Sequence, residues 1–416
     1  MSSTRACPVI DWEFADGPLA PLTGFARMGA FGPEQALVRV EEAQGYFMAT
    51  DYRTISEILQ DPGRFSSHAI IPLEPDPQYQ WIPEMLDPPE HSAWRRLLAP
   101  HFTPKRAEQM SGAVRARCAE IIDGFAGKGE VDFVADFAAR FPTSIFLELF
   151  GLPYSDLDRL LGWEWQIMHP DNETDPDRTK FLAAMNAVTG YFAELIAARR
   201  ANPDAAARGI EAAGACGAGG VGQATDLLSI ALTWEIDGKP IPDEQMLPFC
   251  LFLFIAGLDT VTSQLTYMFH HLATNPADRE RMVAEPQVHP RAVEEFLRYH
   301  PIIVTGRKVT RDTELNGCPI KAGEMIAVPL SGAGRDQDAY PHADRIDFDR
   351  TVVRHLSFGL GPHRCLGAHL ARQELRIALD EWHKRIPEYS IAPGAVILER
   401  TAGTWGLDSL PLVWTP

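Results

Sequence analysis

Residues 357–367 read SFGLGPHRCLG, one cysteine framed by glycines at the foot of a helix-forming run. That frame suits a thiolate ligand. Glycine lets the backbone turn tightly and approach a large flat partner. The amides that open a helix, with its dipole, stabilise negative charge on the Cys365 sulfur. Two other readings use the same residues. One is a buried structural cysteine in a turn. The other is a zinc site from His363, Cys365 and His369, although zinc usually takes tetrahedral ligands without a glycine frame.

A second pattern is FLFIAGLDTVT, residues 252–262, an apolar helical run interrupted by Asp259 and Thr260. Burying these groups without partners is costly. A local reading has Thr260 bonding back to the carbonyl four residues earlier and Asp259 at a helix edge. A functional reading has the helix distorted at Ala256 and Gly257 so that a groove opens. There the Thr260 hydroxyl orients water and dioxygen, and Asp259 relays protons. Pro248 lacks a backbone donor, so it either starts this helix or kinks its early turns.

Two charged pairs stand at helical spacing. Glu295 and Arg298 share a face at i, i+3, the usual geometry of a surface ion pair. His91 and Arg95 share a face at i, i+4, after the helix entry Asp87-Pro88-Pro89. They form a solvated basic face or a carboxylate clamp, since Arg pairs bidentately with carboxylates. Segment 91–117 carries Arg95, Arg96, Lys105, Arg106, Arg115 and Arg117 against the single acid Glu108. A positive face on an acidic chain can steer an acidic partner. Segment 65–90 is rich in proline with scattered aromatics and reads alone as an irregular surface loop.

Phe358-Gly-x-Gly-x-His363-x-Cys365-x-Gly367 resembles the haem-binding signature of the cytochrome P450 family of haem-thiolate monooxygenases. Ala256-Gly257-x-Asp259-Thr260 resembles its oxygen-activation motif, and Glu295-x-x-Arg298 its buried acid–arginine pair. YQWIPEMLDPPE and the tail RIPEYSIAPGAVI…SLPLVW are similar to bacterial camphor hydroxylases, a likeness over nearly the whole chain outside 203–224.

The resemblance implies a haem b cofactor with Cys365 as the iron ligand and Phe358 in the cofactor loop. His91, Arg95, Arg307 and His363 would surround the propionates. Thr305 stands where close relatives carry an acid, so one propionate contact is altered. Arg345 would complete a structural network with Glu295 and Arg298. Tyr79 would offer its hydroxyl to a ketone or ether oxygen, in a pocket of Phe252, Ile255, Ala256, Ile303, Gly403 and Thr404. Asp259 and Thr260 would be catalytic.

The implied activity is hydroxylation of a compact bicyclic monoterpenoid, such as camphor or cineole. Dioxygen is consumed, and electrons come from a [2Fe-2S] ferredoxin with its NADH-dependent reductase. The basic patch, extended by Arg364, would dock that ferredoxin. A peroxide-using or isomerising haem-thiolate enzyme, or a haem sensor, would keep Cys365 without needing the acid–alcohol pair.

The elements around these residues fit a mainly α fold with minor β, and the resemblance implies that the haem lies between a long central helix and the cysteine loop. Residues 36–49 read as a hairpin. Helical periodicity runs through 50–61, which begins with Thr50–Asp51 cap chemistry, and through 103–124, 131–150, 176–200, 243–274, 288–299 and 366–386. Short β-like runs follow residue 302, and SLPLVW closes the chain. Residues 203–224, rich in Ala and Gly, read as a flexible loop insert within a single domain, 1–416.

The 416 residues hold 56 Asp and Glu against 38 Lys and Arg, a net charge of -18. Such a surface repels phosphate backbones and argues against nucleic-acid binding. The start shows no basic segment followed by an apolar run. The dense apolar stretch LPFCLFLFIAGL is shorter than the about 20 residues a bilayer requires. Six scattered cysteines, in a chain long enough to bury its own core, need no disulfide framework. The expectation is a reduced, cytoplasmic monomer away from membranes.

Overall fold

The computed structural model describes residues 7–15, 17–169, 175, 177–201, 226–351 and 354–416. The loop expected at 203–224 lies outside them.

Asp51 caps the helix Tyr52–Gln60 by accepting from the Thr54 amide at 2.7 Å. This satisfies one of the four unpaired donors at the helix start. Ile55, Ile58 and Leu59 are buried on one face. The hairpin pairs Leu37–Val40 with Tyr46–Ala49, Leu37 opposite Ala49. It becomes part of a six-stranded sheet in the order Val9–Ile10, Leu37–Val40, Tyr46–Ala49, Met325–Pro329, Val304–Val309, Phe65–Ser66. Val304–Val309 thus lies inside a sheet, which fixes the direction of Arg307.

The periodic segment 131–150 is not one helix. It opens as the strand Glu130–Asp132, passes through a π-helical stretch at Val134–Ala138, and becomes α-helical at Arg140–Phe150. Pairing with the C-terminal strand Pro411–Val413 captures its first residues, so a tertiary partner overrides the local pattern.

The long helix runs unbroken from Asp243 to Thr274. Pro248 is its sixth residue; the helix begins before the proline and continues past it. Its middle is buried on most faces, hence the nearly continuous apolar sequence. The last helix, Ala368–Arg385, packs beside it. Fully buried Trp382 there sits 5.1 Å from both Phe133 and Phe269, ring centre to ring centre.

Two expectations change. Thr179–Ala201 and Asp243–Thr274 are long and apolar enough by length and composition to cross a bilayer, where the sequence showed one short stretch. Helix continues through polar positions that break an apolar run. Cys7 and Cys318 are joined as a disulfide, 311 positions apart. Spacing along the chain carries no signal for such a pair. Cys118, Cys250 and Cys365 are free.

Candidate active site

The cysteine loop is shaped by backbone bonds and two left-handed glycines. The Cys365 amide donates to the Phe358 carbonyl at 2.8 Å, and the Gly359 amide to Leu356 at 2.7 Å. Gly359 and Gly361 have φ of 66° and 71°. Gly361 is the stricter requirement, since a Cβ there would stand 2.3 Å from the Leu59 carbonyl oxygen. This close approach locks the loop against the helix Tyr52–Gln60. The Arg372 guanidinium lies 4.5 Å over the Phe358 ring.

Cys365 is exposed at its own surface and lines a cavity of about 1180 Å³. Burial within the protein pushes its thiol up, and the Gly367 amide pulls the other way. That amide opens the helix Ala368–Arg385, so the donor expected at the sulfur is in place.

The loop hangs from a buried ion network. Arg298 donates to both oxygens of Glu295 and also to the carbonyls of Gly334, Ala343 and Arg345. Both side chains are closed to solvent. The third partner is Arg350, whose Nε lies 3.1 Å from Glu295 Oε2, and not Arg345 as expected. Arg345 contributes only its backbone carbonyl, and its side chain is exposed. The neighbouring Glu294 binds His355 at 3.2 Å and Arg372 at 2.6 Å, tying this helix to the cysteine helix. Burial would raise the Glu294 carboxyl, but these partners outweigh it and hold it at about 2.

On one side of the cavity stand His91, Arg95, Arg307 and His363. The His91 and His363 rings lie 3.9 Å apart between centres, tilted by 33°. Their four ring nitrogens are buried and make no hydrogen bond among the described residues. Burial, then His363 and Arg95, pull His91 down to about 4, so its ring is neutral at pH 7. Among the described residues the Arg307 side chain donates to Thr305 Oγ1 and the Gly306 carbonyl, and Arg95 to the Arg364 carbonyl. Buried polar groups without partners are rare and call for one. These donors fit the carboxylates of a haem placed against Cys365. One acid went unnoticed in the sequence: Glu84 lies 3.7 Å from His363. Burial would raise Glu84, but His363 and Arg307 hold it below the usual carboxylate range.

Thr260 lines the cavity and donates its hydroxyl to the Ala256 carbonyl at 3.0 Å. This is the local back-bond; the expected break at Ala256 and Gly257 is absent, and the helix is continuous there. Asp259 is almost fully buried and does not line the cavity. Its Oδ1 takes Arg400 Nη2 at 3.3 Å and the Ser263 hydroxyl at 3.4 Å, while Oδ2 has no partner among the described residues. Glu164, from the helix Leu157–Met168, shares this buried region. Burial and the Asp259 charge push it up to about 8. Glu374, on the cavity wall, is pushed up to about 8 by burial alone. Sequence reading missed Arg400, Glu164 and Glu374, whose neighbours lie far along the chain.

Tyr79, Phe252, Ile255, Ala256, Ile303, Gly403 and Thr404 all line the same cavity. Ile303 and Thr404 are paired across a β-bridge. Tyr79 departs from expectation, because its hydroxyl donates to Glu74 Oε2 at 2.8 Å and is not free.

The basic segment is also smaller than its sequence suggests. Arg115 is paired with Asp380 and Glu381, and Arg117 with Glu120, while Arg95 turns into the cavity.

A glycine-framed cysteine facing a deep apolar cavity under a long helix defines a haem-thiolate monooxygenase. The chain belongs to the cytochrome P450 family, whose family model, "Cytochrome P450", matches residues 163–382. It is 31% identical to a probable cytochrome P450 127A1 of Sinorhizobium fredii, over 90% of this chain and 84% of that protein. It is likewise 31% identical to the mycinamicin IV hydroxylase/epoxidase of Micromonospora griseorubida, over 95% of this chain and 98% of that protein. The crystal structure of CYP101J2 superposes with a TM-score of 0.84 at 28% identity, covering 100% of this chain and 98% of that one.

Proposed function

We propose that this single-domain, monomeric monooxygenase hydroxylates a compact apolar substrate of bicyclic monoterpenoid size, such as a camphor- or cineole-like molecule. The observation that carries this reading is one cavity onto which Cys365, Thr260 and the apolar wall Phe252, Ile255 and Ile303 all open. Its volume must hold haem and substrate together, which leaves a small-molecule share.

Haem b, when bound, supplies the oxygen chemistry. Cys365 would hold its iron through Sγ, with the Gly367 amide steadying the sulfur's charge and Phe358 anchoring the loop. His91, Arg95, Arg307 and His363 would hold its propionates. The apolar wall orients the substrate and keeps water out. Thr260 holds a proton at Oγ1 on the cavity face. Asp259, buried off the cavity, passes protons inward from its buried cluster. Arg96, Lys105, Arg106 and Arg364, which make no ion pair with an acid among the described residues, suit docking of a [2Fe-2S] ferredoxin fed by an NADH-dependent reductase.

The test is coupled turnover with ferredoxin, reductase and NADH on a monoterpenoid panel. Oxygenated product in step with NADH supports the reading. Product formed only with peroxide would favour a peroxygenase.

A further inference from the structure

The outer wall of the cavity is formed by the proline-rich loop and the start of the helix Thr179–Ala201. The polar groups of the cavity differ in how far they are already satisfied. Asp76 is neutralised by Lys308, 2.5 Å away. Thr305 accepts from Arg307, and Gln264 donates to the Phe296 carbonyl. Thr404 carries a hydroxyl, which can donate or accept and so does not discriminate.

Glu74 is different. Its Oε2 accepts from Tyr79, while its Oε1 accepts no hydrogen bond among the described residues. Among the described residues the charge beside Oε1 is Arg178, an ion pair at 3.6 Å, beyond hydrogen-bond length, and the Glu74 side chain is 32% exposed. Arg178 is half exposed and lies 4.2 Å over the Phe181 ring, so water and the ring already serve it. Tyr79 leans on Trp81 at 5.2 Å, and Trp81 on Phe252 at 6.3 Å. An aromatic wall therefore leads from Glu74 to the long helix.

A phenol whose one proton is committed cannot donate to a ligand. It offers only oxygen lone pairs, as Glu74 does. Burial and the Glu74 carboxylate both push the Tyr79 phenol up, so the proton stays on its oxygen. This wall thus presents acceptors to the apolar chamber.

We propose that Glu74, not Tyr79, is the polar anchor of the substrate cavity, and that its Oε1 selects an apolar substrate bearing a hydroxyl group over the corresponding ketone. The proposal rests on the cavity being the substrate chamber, as argued above. A hydroxyl donates to Oε1 in a charge-assisted bond, while a ketone brings a second acceptor against a carboxylate and gains no hydrogen bond there.

The test uses the haem-loaded protein and two ketone–alcohol pairs: camphor with borneol, and androstan-17-one with androstan-17β-ol. Binding is read by calorimetry and by the substrate-induced change in haem absorption. The carbon monoxide spectrum of each variant confirms an intact site. The alcohol of a pair is expected to bind about tenfold tighter than its ketone. Glu74→Gln can keep the Tyr79 bond on its amide oxygen and turn its NH2 to the ligand, which should erase or reverse that preference. Tyr79→Phe should leave the alcohol preferred.

A wild-type protein that binds the ketone as tightly as the alcohol overturns the proposal. So does an alcohol preference that survives Glu74→Gln or disappears in Tyr79→Phe. If only the androstane pair binds, the monoterpenoid size reading fails while the alcohol–ketone comparison still decides. If no alcohol binds, the proposal falls with it.

Discussion

Arg298 grips Glu295 at both oxygens, Nε to Oε2 at 2.8 Å and Nη2 to Oε1 at 2.7 Å, with neither side chain reaching water. A pair at this spacing on an exposed helix contributes a few tenths of a kcal/mol. Here, removing one partner strands a buried charge, at a cost of about 3–5 kcal/mol. Arg298→Ala should therefore unfold the protein well below the wild-type temperature, and Arg298→Lys should not rescue it, because lysine lacks the fork. Arg350→Ala should also destabilise, while Arg345→Ala should leave the melting temperature within error. Thermal melts of the variants check this. Equal losses at 345 and 350 would contradict the assignment of Arg350.

The Gly361 turn is expected to be the least tolerant point of the cysteine loop. Gly361→Ala adds a Cβ 2.3 Å from the Leu59 carbonyl at a left-handed φ, so backbone must move. Gly359→Ala meets nothing closer than 3.9 Å and suffers only the left-handed strain, about 1–2 kcal/mol. Stability and haem retention of the two variants, compared side by side, should separate them. Identical behaviour would mean that the contact with Leu59 does not hold the loop.

Glu164 and Glu374 give stability a pH slope. Both carboxyls are raised from the ordinary 4.5 to about 8 in the folded chain. Between those values the folded state holds protons that the unfolded state has released. Their contribution to stability therefore falls as pH rises from about 4.5 towards 8, by up to about 1.4 kcal/mol per pH unit for each group, against the opposite slope that His91, lowered to about 4, contributes up to about pH 6.5. Glu164→Gln and Glu374→Gln should each flatten that slope and raise stability at pH 8. Urea melts of wild type and both variants at pH 5, 6.5 and 8 measure it, and a stability difference between variant and wild type that stays constant over this range would refute it.

Thr260→Ala should keep haem and substrate binding but divert reducing equivalents to peroxide. Its hydroxyl is the polar group of the acid–alcohol pair that opens on the cavity. Product per NADH, set against peroxide formed, reads this directly. An unchanged yield would remove Thr260 from proton delivery. Asp259→Asn should slow turnover with the haem spectrum unchanged, since Asp259 lies off the cavity with Arg400.

Much of this protein was determined by local sequence. The glycine-framed Cys365, the helix Asp243–Thr274, the Asp51 cap and the hairpin each depend on residues within a few turns of one another. Backbone geometry and periodicity express such elements directly. Tertiary structure alone decided the rest. Arg350 and Arg345 are both arginines in one loop, and only the path of the chain brings the first to Glu295. Asp259 is 141 positions from Arg400, and Cys7 is 311 from Cys318. Tyr79 and Glu74 are close in sequence, yet their hydrogen bond depends on how an irregular loop folds over the cavity. Ion pairs and hydrogen bonds act over a few ångströms of space, and a sequence does not list the distances between its distant parts.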